Sequence, residues 1–198
     1  MRHSLLPLSV VAATLALSGC ISFGAKPPPS LLTLNATAQP QPGRTQSSAD
    51  ARSIVVQTPS VPTALATARV PVQASVDTIA YVKDAQWTEP PARLFARLLS
   101  DTLTAQAHIV VLSPAQSVSD PSGNLAGELR QFGLDATTQQ AMVVYDAALT
   151  RANATAVEKR RFEARVPVSA IDAPSAAAAL NQAANQVAGE VATWVGGR

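Results

Sequence analysis

The chain has 198 residues, with 15 lysines and arginines against 13 aspartates and glutamates, a formal net charge of +2, one cysteine and 4% aromatic residues. So small a charge imbalance gives no electrostatic case for nucleic acid. One cysteine excludes an internal disulfide, and so few aromatics do not suggest a ring-lined pocket for a flat ligand. The length suits one domain that buries a core without covalent staples.

The chain opens with a basic start, Arg2, and an apolar run from Leu5 to Leu17. That run is shorter than the roughly 20 residues a helix needs to span a bilayer, and with the small residues after it reads as a secretory signal peptide. Leu17-Ser18-Gly19-Cys20 is similar to the bacterial lipobox. The resemblance implies a diacylglycerol on the Cys20 thiol, cleavage before Cys20, and a palmitoyl or similar chain on the new amino group. One acyl chain binds a bilayer marginally; two or more hold, at roughly 0.8 kcal/mol per buried CH₂. Ile21 stands where an inner-membrane retention signal carries Asp, so the expected location is the periplasmic side of the outer membrane. The expected organisation is a signal peptide at 1–19, a lipidated cysteine and Pro-rich tether at 20–29, and one domain at 30–198. Pro27-Pro28-Pro29 stiffens the tether.

Ser30–Asn35 reads as a short strand with Leu32 and Leu34 on one face, and 36–51 as a loop. Ser53–Thr58 is a β-branched strand ended by Pro59, and Thr63–Ala68 has room for one helical turn. Val70–Gln73 and Thr78–Val82 are strands, the first placed at an edge because of Pro71. Lys83–Gln86 is read as a turn. Thr88 is the expected cap of a helix whose stripe is Leu94, Phe95, Leu98, Leu99, Thr102 and Leu103. After a strand at Ile109–Leu112 and a polar loop at Ser117–Gly123 come three long antiparallel strands. They are Leu125–Leu134, Ala141–Arg151 and Val157–Val168, with a turn at Asn153-Ala154. Leu125 and Leu129 share one parity, Phe132 and Leu134 the other, so one extra residue, a bulge, is expected near Arg130-Gln131. Lys159-Arg160-Arg161 is read as a solvated strand segment. Asp172 starts a last helix along Leu180, Ala184, Val187, Val191 and Trp194 or Val195, ended by Gly196-Gly197. The order predicts an α+β fold: a mixed, largely antiparallel sheet with two amphipathic helices packed on one face.

No motif for chemistry stands out. Past the signal peptide the only histidine is His108, too little for the usual zinc sets and better read as structural than as a base. There is no nucleophile elbow, phosphate loop or dinucleotide fingerprint, and the carboxylates are scattered. No catalytic, cofactor-binding or metal residue is assigned, and no enzymatic activity is expected. Trp87 and Trp194 are candidates for partner contact, because Trp is enriched where proteins bind one another. Trp87 is the better read as structural, packing a helix entry; Trp194 divides evenly.

An ordered set of short motifs resembles the ABC-type transport auxiliary lipoprotein family. They are Leu31-Leu32-Thr33-Leu34, Ile54-Val55-Val56 with Pro59 and Pro62, Trp87-Thr88-Glu89-Pro90 before a helix through Leu98–Leu103, Leu125–Leu129 with Phe132, Phe162, Val166-Pro167-Val168, and the Ala-rich helix reaching Trp194. Leu31 and Ala64 stand where that family often has tyrosine. The resemblance implies a lipoprotein that docks or caps a mammalian-cell-entry (MCE) protein in a system moving phospholipids across the periplasm. An inner-membrane permease and ATPase would be the further partners, and a homo-oligomer would suit a cap. A scaffold or activator lipoprotein of another envelope machine, in cell-wall synthesis or secretion, is the alternative, since fold does not fix function.

Overall fold

In the computed structural model, which describes residues 30–49, 51–113, 115 and 121–197, the chain is ordered as β1 (Ser53–Val56), β2 (Arg69–Ser75), β3 (Thr78–Gln86), α1 (Pro91–Gln106), β4 (Val110–Leu112), β5 (Gly123–Asp135), β6 (Gln140–Arg151), β7 (Val157–Pro167) and α2 (Ala173–Gly196), with a 3₁₀ turn at Thr63–Leu65. Cys20 and the tether lie outside the described residues.

The frame of the sheet is the antiparallel meander β5-β6-β7. β6 pairs along its whole length with both neighbours. The far edge of β5 is shared by two short branches, β1-β4 near its start and β2-β3 near its end. Between the branches, Ser60 bridges to β5: its N–H donates to the Gly127 carbonyl (3.0 Å), and the Leu129 N–H donates to its own carbonyl (2.9 Å). Residues 53–75 thus run parallel to β5, interrupted only by the loop and 3₁₀ turn after Pro62. The result is a mixed sheet with both helices on one face, the α+β architecture expected from the sequence.

Alternation on the meander defines the core. Leu125, Leu129, Phe132, Leu134, Val143, Tyr145, Ala147, Leu149 and Phe162 are buried beneath the helices. Their parity changes in β5 because Leu129 pairs with Tyr145 and Gln131 with Val144, which leaves Arg130 as an extra residue. The bulge therefore falls where the apolar pattern demanded it. Alpha helix α1 buries its Leu94–Leu103 stripe and sends Phe95 between Phe132 and Tyr145, at ring distances of 6.4 and 5.2 Å. Helix α2 approaches β6 and β7 through Ala176, Ala179, Ala183, Ala184 and Ala188, whose small side chains permit close packing. Gly127 has a similar purpose: a Cβ there would come within 2.3 Å of the Asp146 carbonyl and 2.7 Å of the Tyr145 ring. The ring crosses this gap, and its hydroxyl donates to the Ala126 carbonyl at 3.0 Å.

Three local expectations are corrected. Thr88 does not cap α1: the helix begins later, after Pro90, with no side-chain cap and with Pro91 supplying a first residue that needs no N–H partner, while the Thr88 N–H is bonded to the Leu32 carbonyl. Pro71 lies within the sheet, between β3 and β5. It is tolerated there because the β2-β3 register slips between Arg69 and Pro71, so the missing donor falls at an irregularity. Lys83–Gln86 does not turn the chain away; β3 continues through them, with Asp84 at φ 55° absorbing the distortion. Asn153 does form the β6-β7 turn at φ 62°. Asp172 caps α2, its carboxylate accepting from the Ser175 N–H at 2.9 Å. Asp172→Ala should lower stability, read as a fall in the thermal midpoint; no shift would show that the first turn holds without its cap.

Candidate functional site

The two tryptophans separate. Trp87 is 1% exposed and packs 5.5 Å from Phe132. Its Nε1–H has no partner among the described residues, so the side chain is held for its ring and not for its polar edge. It presents no surface to a partner in this fold, which corrects the contact reading of Trp87 in favour of the structural one. Trp194 is half-buried on α2. Its ring lies 5.5 Å from Phe162, and it borders a shallow groove with Arg160, Glu190 and Thr193. Arg160 lies over the other side of this cluster, 5.0 Å from the Phe162 ring centre. The half-exposed Trp194 ring shares this groove with Arg160 and Glu190.

A second surface was not anticipated. On the sheet face away from the helices, an apolar cleft of about 240 Å³ opens between the 3₁₀ turn and β5. Pro62, Ala64 and Leu65 form one wall, Pro71 and Ile79 a second, and Gly133 and Met142 the floor. Its origin is geometric. The bulge at Arg130 and the excursion after Pro62 occur at the same level of β5, so neighbouring backbone diverges there. Gly133 lets β2 close in again, since a Cβ would sit 2.4 Å from the Pro71 carbonyl. Ile79 remains 51% exposed at the rim. The signals in the sequence were the parity break and the two prolines, but each was local; only the pairing of β2 with β5 joins them.

Beside the cleft the same face is charged. Arg161 makes a two-pronged ion pair to Asp146, at 2.6 and 2.7 Å, and Arg130 lies 3.6 Å from the same carboxylate and 3.4 Å from Glu128. Lys159, Arg160 and Arg161 are exposed, as expected of a solvated strand. Such surface pairs contribute little individually, about 0–1 kcal/mol. His108 is exposed, at φ 52° between α1 and β4, a connecting position.

The aspartates do work local to their turns. The Ser75 hydroxyl lowers the Asp77 pKa, the Thr137 hydroxyl that of Asp135, the Arg161 guanidinium that of Asp146, and the Ser175 N–H that of Asp172. Each folded value lies below the unfolded one. Their contribution is therefore complete above the ordinary aspartate range and is lost as pH falls through about 4 and below. Asp101, raised by burial, acts in the opposite sense. The thermal midpoint should hold from pH 7 to about 5 and drop below about 4; a midpoint that climbs on acidification would mean that Asp101 dominates.

The model of the ABC-type transport auxiliary lipoprotein component family matches residues 32–192. No curated protein matches. Among solved structures, protein XCC0632 from Xanthomonas campestris is similar at 21% identity and a TM-score of 0.70, over 85% of this chain and 96% of that one. An uncharacterized protein is similar at 19% identity and a TM-score of 0.64, over 73% and 92% of the two chains. At those identities the structures establish a shared fold. The family match reaches from the segment beside Trp87 to the last turns of α2, and on that ground the chain belongs to the ABC-type transport auxiliary lipoprotein component family.

Proposed function

We propose that the protein is a non-enzymatic outer-membrane lipoprotein of an ABC/MCE-type system that moves phospholipids between membranes. Cys20 carries the lipid, and the folded part docks or caps the periplasmic MCE protein. A permease and an ATPase in the inner membrane supply the work. The observation that carries this reading is the family match across residues 32–192, which spans every strand and most of α2. The lipobox-like Leu17–Cys20 supports the anchor. The cleft beside Ile79 and the rim at Trp194 are the surfaces offered to the partner.

The test is purification of the full chain from detergent-solubilised membranes, with its companions identified by mass spectrometry. The MCE protein should come with it. Recovery of a cell-wall synthase or secretion component without any MCE protein would overturn the reading. Ile79→Glu places a charge at the apolar rim on a side chain already half in water, so the fold should tolerate it. Co-purification should fall by about tenfold or more if the cleft is the contact. If Ile79→Glu recovers the partner undiminished and Trp194→Ala does not, the contact lies at the α2 rim instead.

A further inference from the structure

The segment ahead of β1 is fastened to the body. The Leu32 N–H donates to the Gln86 carbonyl at 2.7 Å, and the Leu32 carbonyl accepts from Thr88 at 2.9 Å, a parallel bridge beside Trp87. Further on, helix α2 presents Asn181 and Asn185, one turn apart. Asn181 Oδ1 accepts from the Asn35 N–H at 2.9 Å. Asn185 Oδ1 accepts from the Thr37 N–H at 2.8 Å and its hydroxyl at 2.6 Å, while Asn185 Nδ2 donates to the Asn35 carbonyl at 2.9 Å. The strap's own Leu32 and Ala36 are buried against the body. It runs parallel to the end of β3 and along α2 in the direction of that helix, so the chain enters from the side where the β2-β3 turn, the β5-β6 turn and the start of α2 meet.

That end carries a concentration of exposed aliphatic side chains. Val76, at the tip of the β2-β3 turn, is 99% exposed; Ile79 follows it on β3, and Ile171, 39% exposed, precedes α2. The turns adjoin one another: the Ala136 N–H donates to the Gln73 carbonyl, and the Val168 N–H to the Gln139 carbonyl. The charged groups facing this end from those turns are Asp77, Asp135 and Asp172, each bonded within its own turn.

We propose that the strap, held by Asn181 and Asn185, stands the domain on the bilayer with its β2-β3 turn end down, Val76 and Ile171 meeting a zwitterionic lipid surface. The proposal rests on the lipid anchor at Cys20. About ten residues separate Cys20 from the strap, a reach of at most roughly 35 Å, so the domain stays within about its own diameter of the membrane. Lipid is the occupant because the chain enters from this end and the anchor fixes what lies at the other end of so short a reach. The three carboxylates disfavour an anionic surface. Without the asparagine clamp only the Leu32 bridge would hold the entering chain, and the pose would loosen.

The chain's single cysteine is acylated in the mature protein, so an introduced cysteine can be labelled alone. The full lipidated chain is placed on phosphatidylcholine vesicles carrying an energy acceptor at the headgroup. It is labelled in one sample at Val76→Cys and in another at Ala154→Cys, in the β6-β7 turn at the opposite end. Transfer should be at least about twofold stronger from position 76, and weaker when anionic phosphatidylglycerol is added. Asn181→Ala with Asn185→Ala should narrow the difference, with the Leu32 bridge still holding the entry, while the protein still sediments with the vesicles. It should also cut hydrogen-exchange protection of the Asn35 and Thr37 amides by about tenfold or more, with α1 protection unchanged as the folding control. Gln182→Ala, exposed on the same helix and outside the clamp, should change neither. Equal transfer from both positions, or stronger transfer from 154, overturns the pose. Unchanged protection in the double variant overturns the clamp. Failure of the unaltered chain to sediment with vesicles overturns the anchor itself, and the pose with it.

Discussion

Cys20→Ala is expected to leave an unlipidated, unprocessed precursor that no longer reaches the outer membrane. The effect should be near total, because the variant removes the thiol that, in the proposed anchor, receives the diacylglycerol and with it the substrate for cleavage and further acylation. Two or more acyl chains, at roughly 0.8 kcal/mol per buried CH₂, outweigh any contact the folded part makes with lipid. Among the described residues no helix is long and apolar enough to cross a membrane, so none supplies a helical substitute for the acyl chains. Fractionation with and without globomycin-type inhibition of processing, read by mobility on gels, checks it. A Cys20→Ala chain that still fractionates with the outer membrane would remove the anchor from the account. Mislocalisation should also abolish recovery of the proposed MCE partner at normal yield, and that loss should not be restored by stabilising the fold.

Phe95→Ala should be the most damaging single change in the folded part. Phe95 is fully buried and lies at the junction of three rings, 6.4 Å from Phe132 and 5.2 Å from Tyr145, with Trp87 beyond Phe132 at 5.5 Å. Truncating a buried Phe typically costs about 3–5 kcal/mol, the lost transfer energy plus that of the cavity left behind. Against a total stability of about 5–15 kcal/mol for a domain, that is a large share. Denaturant unfolding followed by tryptophan fluorescence reads it directly, since Trp87 belongs to the same cluster. Phe95→Leu, which keeps most of the volume, should cost clearly less. A loss below about 1 kcal/mol for Phe95→Ala would show that α1 relaxes onto the sheet and that the ring cluster is not its main attachment. By the same logic the tilted contacts among these rings matter less than their burial, since ring geometry adds only about 0.5–1.5 kcal/mol per pair.

These two effects sit at opposite ends of the chain's design. One is covalent and local, the other cooperative. The proposed strap joins them, because it is where the force of the anchor enters the fold: through one backbone bridge beside Trp87 and two asparagines on α2. A domain with the proposed task of holding a partner at a membrane has reason to fix that point of entry.

Much of the fold was legible in the residues. Period-two alternation specified the inward faces of β6 and β7, and the broken parity of β5 specified its bulge, because an extra residue is the only way to keep Phe132 and Leu134 on the face of Leu125 and Leu129. The stripes of α1 and α2 and the cap at Asp172 followed from helical spacing and from a short acceptor side chain before an Ala-rich run. The lipobox-like Leu17–Cys20 is likewise a purely local pattern, read without any fold. What tertiary structure alone decided was everything set by which strand lies beside which. It put Pro71 inside the sheet, assigned the Thr88 N–H to Leu32, and sealed Trp87 beneath the strap. It also opened the cleft at Ile79, by bringing the Pro62 excursion level with the Arg130 bulge. Pairing between distant segments depends on competition among many backbone donors and acceptors at once, and no local pattern of side chains carries that information.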